Sequence, residues 1–133
     1  MITEVSVKTN SKTTLQDITE KVREAVRKSG VKNGICHLYA PHTTAALTIN
    51  ENYDPSVAED IVGELNKLIP MNGHYKHQEG NAAAHIKSSI IGSSRTVFIE
   101  NGEIVLGTWQ GIFLCEFDGP RNRKVLMKIL SVD

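Results

Sequence analysis

Residues 54–70, DPSVAEDIVGELNKLIP, constrain the fold more than any other stretch of the chain. Asp54 is placed to cap the free N–H groups of a helix, and Pro55 suits its first turn. Val57, Ile61, Leu65 and Leu68 then fall on one stripe before Pro70 ends it. Such a stripe needs an apolar surface to lie on, and both flanks offer sheet. Upstream, GICHLYA and TTAALTINE are β-leaning runs separated by Pro41-His42, where proline removes a ladder donor. Downstream, RTVFIE, the Asn101-Gly102 turn, EIVLG, WQGIFLCEF and KVLMKILSV predict an antiparallel series, Asn-Gly being the strongest short hairpin signal.

The remaining segments fit the same frame. ITEVSVKTN alternates as a half-buried strand, and KTTLQDIT is expected as its hairpin partner. A first helix begins near Asp17 or Thr19, aligns Ile18, Val22, Ala25 and Val26, and stops at Gly30. MNGHYKHQEGN has no periodicity and reads as a long loop, a place where function tends to reside; AAAHIKSSIIG reads as a short helix closed by Gly92. The order β(2)-α-β(2)-α-β(3-4), with a short third helix, defines an α+β class. With 133 residues and no repeat or linker, a single domain over 1–133 is expected.

Charge removes several function classes. Fifteen basic and fifteen acidic side chains leave a formal net charge of zero, so no global basic field gathers nucleic acid or anionic lipid. Met1-Ile2-Thr3-Glu4 lacks the charged-then-apolar opening of a signal peptide, and no apolar run approaches the roughly 20 residues of a membrane span. A cytoplasmic protein without nucleic-acid or membrane partners is expected. Cys36 and Cys115 each lie inside an apolar segment and read as buried free thiols.

Four residue groups carry candidate chemistry. His42 follows a strand, His77 lies in the long loop and His85 on the short helix. Three imidazoles with a fourth position open describe a catalytic zinc site, although separate polar or core histidines fit the spacing as well. His37 reads as a satisfied structural histidine inside its strand, and His74 as solvated. TINENYDPS brings Asn50, Glu51 and Asp54 to a strand end close in sequence to His42; a carboxylate there suits a general base, with Asp54 already placed as a helix cap. LGTWQGIFL sets Thr108, Trp109 and Gln110 between two glycines, where backbone approaches a ligand closely or where Trp109 packs as core. GPRNRK groups Arg121, Arg123 and Lys124 at a turn, a cationic set suited to phosphate or to solvent.

Taken together, HTTAALTINENYDPSV, EGNAAAHIKSSIIGSS and LGTWQGIFLCEFDGPRNRKV resemble the YjbQ family over almost the whole chain. The resemblance implies an antiparallel β-sandwich packed around a threefold axis, hence a homotrimer. It also implies a pocket whose histidines are His42, His77 and His85, holding a divalent metal, zinc by donor type or magnesium beside a diphosphate. Glu51 and Asp54 are then the catalytic candidates, and Asn50, Ser88, Thr108, Gln110, Arg123 and Lys124 the ligand-binding ones. His74 and Arg121 fall outside the pattern. The implied activity is that of a secondary thiamine-phosphate synthase, which joins hydroxymethylpyrimidine diphosphate to thiazole phosphate with loss of pyrophosphate. A dedicated barrel enzyme of about 250 residues cannot be built from this chain, so any such site is unrelated in architecture.

Two readings stay open at this stage. One is a metal-dependent enzyme acting on a phosphorylated small molecule; the other is a trimeric metabolite- or metal-binding protein without turnover. Glu51 discriminates between them, because turnover wants a base beside the bound ligand and simple binding does not. Arg123 is expected to grip phosphate while Arg121 remains a solvated turn residue. The apolar runs GIFLCEF and KVLMKILSV are expected to bury surface between copies.

Overall fold

The computed structural model describes residues 1–132. In chain order these form β1 (Ile2–Lys8), β2 (Thr14–Asp17), α1 (Thr19–Ser29), β3 (Gly34–Tyr39), β4 (Ala45–Glu51), α2 (Pro55–Leu68), α3 (Ala82–Ile91), β5 (Ser94–Glu100), β6 (Glu103–Ile104), β7 (Gln110–Glu116) and β8 (Asn122–Ser131). The α+β class and the order of elements match the sequence reading, α3 being the short third helix. Two antiparallel sheets carry the strands, one ordered β1-β8-β3-β5-β6 and the other β2-β7-β4. At the β5–β6 hairpin Asn101 and Gly102 adopt φ of 53° and 80°, the pair of positive angles that a tight hairpin turn requires. Among the described residues no helix is long and apolar enough to cross a membrane.

The expected β1–β2 hairpin does not form. β1 pairs along its whole length with β8, from Ile2 opposite Lys128 to Lys8 opposite Asn122, while β2 pairs with β7 in the other sheet. The link crosses between sheets at Thr9, whose buried N–H donates to the Arg121 carbonyl at 2.9 Å and whose hydroxyl donates to Glu116 Oε1 at 2.7 Å. A four-residue β2 would have left half of β1 unpaired; β8 covers all of it.

Strand β7 explains the thickness of the molecule. From Gly111 to Glu116 every residue is buried, so both of its faces are covered within one chain. Ile112 and Leu114 join Val7, Leu38, Leu47, Val97, Val125 and Met127 between the sheets, where Ile18 at the start of α1 and Val22 and Val26 within it are added. On the other side Cys115 and Phe117 meet Ala46 and Ala84, with Leu15, Leu65 and Ile91 packed around them. GIFLCEF therefore needs no second copy to cover it, contrary to expectation. Both cysteines are buried free thiols, as expected, and burial pushes them up, Cys36 to about 11 and Cys115 to about 12.

Helix α1 starts under the Asp17 carboxylate, which accepts the Thr19 N–H at 2.9 Å and its hydroxyl at 2.6 Å, and ends at Gly30 with φ 73°. Helix α2 is capped as predicted, Asp54 accepting the Ser56 N–H at 2.9 Å. Its apolar stripe is not covered as predicted: no residue of α2 is fully buried, and Leu68 is exposed. Trp109 is also not core. It lies on the surface edge-to-face with Tyr53, their ring centroids 5.2 Å apart. His37 is exposed on the outer face of the larger sheet and satisfied there by the Thr96 hydroxyl at 2.7 Å.

Two glycines give opposite expectations. A Cβ on Gly34 would lie 1.8 Å from the Leu130 carbonyl oxygen, where β3 meets β8, whereas one on Gly63, in the exposed interior of α2, would meet nothing within 4 Å. In urea denaturation Gly34→Ala should cost roughly 3 kcal/mol. Gly63→Ala should add up to about 1 kcal/mol through helix propensity alone.

Candidate functional site

Where β3 stops, a side chain takes over its ladder. Tyr39 is the last β3 residue opposite β8, facing Leu126, and Pro41 has no N–H to offer Lys124 two residues further along. The His42 ring fills that place, its Nε2 lying 3.1 Å from both the N–H and the carbonyl oxygen of Lys124. Burial, then the nearby Arg123 charge, lowers the His42 pKa below the ordinary imidazole value. The ring is therefore neutral at neutral pH, the form that can accept a proton or bind a cation.

Helix α3 brings a second imidazole to the same place. A cleft of about 330 Å³ is lined by His42, Thr43, His85, Ser88, Ser89, Gly92 and Ser93. A second, of about 620 Å³, shares His42, Thr43 and His85 and adds Tyr39, Glu79, Asn81, Asp118, Arg121 and Arg123. Ser88 is only 8% exposed, and its Oγ has no hydrogen-bond partner. Buried polar atoms are normally satisfied by protein or water, so this hydroxyl, like Asn81 Oδ1, is free of protein partners and open to one from the cleft. His77 reaches the group through His85, their ring centroids 5.2 Å apart and edge-to-face; His74 is exposed, as expected.

Arg123, on the wall of the larger cleft, belongs to a buried ion pair, and this corrects the reading of that residue. That guanidinium is buried: Nε donates to Glu116 Oε1 at 2.8 Å, and Nη2 to Glu116 Oε2 and to the Thr44 hydroxyl at 2.8 Å. Burial raises the Glu116 pKa, but hydrogen bonds from Arg123, Thr9 and the Asp118 N–H outweigh it and hold the carboxyl below its usual range. Arg121 is the accessible cation of the turn. It is half exposed, donating Nε to the Asp118 carbonyl and Nη2 to Asp118 Oδ2. Lys124 meets His42 through its main chain, and its ammonium lies 3.9 Å from Glu4 Oε1.

The other candidates gather at the far end of β4. Asn50 pairs with Gly111 and Glu51 with Gln110. Gln110 Oε1 accepts the Gly107 N–H at 2.8 Å and so closes the turn containing Thr108, and Glu51 Oε2 accepts the Asp54 N–H at 3.3 Å. With Tyr53, Pro55 and Trp109, Glu51 and Asp54 line a separate cleft of about 430 Å³. The length of β4 holds the two groups roughly 20 Å apart at about 3.3 Å per residue. Proximity in sequence thus misled: Asn50, Glu51, Asp54, Thr108 and Gln110 do not meet the histidines within one chain.

Sequence reasoning missed Glu116, Asn81 and Lys87. Glu116 had a signal, a lone carboxylate inside the apolar run GIFLCEF, which demands a buried cation. Lys87 is fully buried; its ammonium donates to Asn66 Oδ1 at 2.6 Å and lies 5.9 Å from the Phe117 ring centre, and burial lowers its pKa. Among the described residues no three of His, Cys, Asp and Glu are arranged to hold a metal ion. Within one chain the imidazoles supply paired donors and not a closed ligand set.

Fold and clefts define a small α+β sandwich protein with a histidine- and hydroxyl-lined surface site over a buried Arg–Glu pair. Comparison with known proteins makes the class specific: the chain belongs to the family described as UPF0047 protein YjbQ-like, whose model matches residues 3–132. A UPF0047 protein of Methanocaldococcus jannaschii is 52% identical, the match covering 98% of this chain and 95% of that one. YugU of Bacillus subtilis is 44% identical over 98% of this chain and all of its own. The crystal structure of a YjbQ/UPF0047 family protein from Clostridium acetobutylicum superposes with a TM-score of 0.94 at 54% identity, covering 96% of this chain and 99% of that one. A YbjQ-like protein from Sulfolobus solfataricus gives 0.94 at 37% identity, over 98% and 96%.

The roles of the two arginines separate by stability. Arg123→Ala strands a buried Glu116 and should cost about 3–5 kcal/mol in chemical denaturation. Arg121→Ala should cost less than about 1 kcal/mol, its partner retaining Lys12. The same network sets acid tolerance. Burial pushes the Asp118 carboxyl up, but hydrogen bonds from Lys12, Asn81 and Arg121 bring it from 3.8 to about 2. A depressed acid stabilises the fold above its unfolded pKa and loses that contribution as pH falls through the folded one. Stability should therefore drop by roughly 2 kcal/mol between about pH 4 and pH 2, and Asp118→Asn should flatten this part of the profile.

Proposed function

We propose that the protein binds a phosphorylated small molecule, together with a divalent ion, in the paired clefts at the His42 end. One observation carries this reading: two imidazoles, a row of hydroxyls with Ser88 Oγ unpartnered, and the accessible Arg121 converge on clefts that share His42 and His85. Hydroxyls and a guanidinium suit phosphate oxygens, and neutral imidazole suits zinc; a diphosphate would also recruit magnesium. His42 and His85 would supply imidazole donors to the ion, and oxygens of the phosphorylated ligand would have to complete its shell, since the described residues offer no set of three. When bound, the ion would draw negative charge from the phosphate. The reaction to test is the one the resemblance implies, thiamine-phosphate synthesis, in which pyrophosphate is the leaving group. Arg121 replaces Arg123 as the side chain that meets it, because Arg123 is committed to Glu116 and Thr44. The assembly is proposed as a homotrimer in the cytoplasm, the incompletely covered stripe of α2, with Leu68 exposed, supporting association.

Binding without turnover is the second reading, and it has its own observation: within one chain the carboxylates Glu51 and Asp54 line a different cleft from the histidines.

Calorimetric titration separates the parts. Pyrophosphate should bind more tightly with zinc or magnesium present, Arg121→Ala should weaken it about tenfold, and His85→Ala should remove the metal dependence. Absence of binding with either ion would remove the phosphate reading. Thiamine phosphate formed from the two precursors above background, and lost in His85→Ala, would decide for enzyme over binder.

A further inference from the structure

Helix α3 opens on an asparagine that does not cap it. Asn81 holds the N-cap position, where a side-chain oxygen ordinarily accepts an N–H of the first turn, yet it makes no such bond. Its Nδ2 donates to Asp118 Oδ2 at 3.0 Å instead, and its Oδ1 is buried without a hydrogen-bond partner. Among the described residues one other buried side-chain atom is left in this state, Ser88 Oγ, about two turns along the same helix on a residue only 8% exposed. The clefts that Asn81 and Ser88 line share His42, Thr43 and His85. A forgone cap and two unmet polar atoms each cost stability. Their gathering along one helix, beside one pair of clefts, is what a site kept open for a ligand leaves behind.

The Asn81 amide has one orientation. Asp118 accepts from Lys12 and Arg121 as well, so it is an ionised carboxylate with no proton to donate, and an amide oxygen turned toward it would meet only negative charge. Oδ1 is thus the free end of the amide, an acceptor on a residue that lines the larger cleft. Only an N–H or O–H can meet it, and the oxygens of an ionised phosphate cannot. Glu79 lines the same cleft as a second acceptor, exposed and without a hydrogen bond or ion pair among the described residues. The accessible cation is held close by. Asp118 Oδ2 accepts from Asn81 Nδ2 and from Arg121 Nη2, each at 3.0 Å, so one oxygen sets the spacing between amide and guanidinium.

We propose that Asn81 determines specificity in the larger cleft, its Oδ1 accepting a hydrogen bond from an amino group that the ligand carries about two or three atoms from its phosphate. Glu79 lies beside that contact, and Asp118 is the positioning residue that holds Asn81 for the amine and Arg121 for the phosphate. The ligand class is then an amino-substituted phosphate ester and not a bare polyphosphate. This rests on the phosphate reading of the site and adds to it the group at the ligand's other end.

Matched esters isolate that group. Aminoethyl phosphate and propyl phosphate differ only in an ammonium where the other has a methyl, and each is titrated by calorimetry beside pyrophosphate, with zinc or magnesium present. The protein should prefer the amino ester by about tenfold, the worth of one hydrogen bond from a charged donor. Asn81→Ala should bring the two esters within about threefold of each other, and Glu79→Gln, at an exposed position that the fold does not depend on, should narrow the ratio as well. Asp118→Asn should erode it too, because two amides pair in either orientation; a merely structural loss would weaken both esters alike and leave their ratio intact. Equal binding of the two esters by a protein that binds pyrophosphate would overturn the proposal. So would a ratio that neither Asn81→Ala nor Glu79→Gln moves, since Oδ1 would then belong to an ordered water. Binding of neither ester nor pyrophosphate would remove the phosphate reading itself, and this inference with it.

Discussion

The pairing of Arg123 with Glu116 holds the molecule together at its most demanding point. Glu116 ends β7 in the smaller sheet and Arg123 begins β8 in the larger, so one two-pronged contact locks the layers in register. Taking both charges out of water costs several kcal/mol per ion, and Coulomb attraction offsets that only when the remaining lone pairs and N–H groups are also met. Here they are met by Thr9 and Thr44, the residues where the chain leaves β1 and enters β4. The pair thus specifies one crossing of the chain between sheets, and the departure of β1 from the expected hairpin is its consequence.

The clefts follow from that crossing. Thr44 is anchored from below by Arg123, which fixes the short link from β3 to β4 and so the position of His42 above it. The ring then finishes the β8 ladder that Pro41 cannot. On the opposite wall Lys87 ties α3 to Asn66 of α2, and one residue on, Ser88 turns into the cleft. A fully buried ammonium with one neutral acceptor is costly. Its position beside Ser88 places an anchoring charge and a cleft-lining hydroxyl on the same helix segment.

Elements were legible in the sequence because their signals are local. Asp54-Pro55, Gly30, Gly92 and Asn101-Gly102 each act within a few residues, and each stands where it was read. Partners were not legible, because they are settled by contacts far apart in the chain. KTTLQDIT is a strand on its own evidence, yet only the crossing at Thr9 decides that it pairs with β7. Arg123 and Arg121 differ by their acceptors, and nothing in GPRNRK says which guanidinium alternation will aim inward. Glu116, a carboxylate among apolar neighbours, was the clue that an inward arginine had to exist. Trp109 was undecided for the same reason: glycines on either side announce a bend without saying which way the ring goes.

Cleft chemistry and chain geometry also pull apart over Glu51. In sequence it lies nine residues from His42, close enough to suggest one site. As strand, that interval becomes nearly the largest separation those residues can have, since extended backbone spends about 3.3 Å on each one while a helix spends 1.5 Å. An imidazole pair, hydroxyls and a guanidinium suit an anion; to move a proton they need an acceptor that is not already committed. Within one chain every acid near the histidines is committed to a cation, apart from Glu79 at the edge of the larger cleft. On the proposed reading the cleft therefore holds groups for binding within one chain, while turnover there would need a base other than the acids already committed to cations.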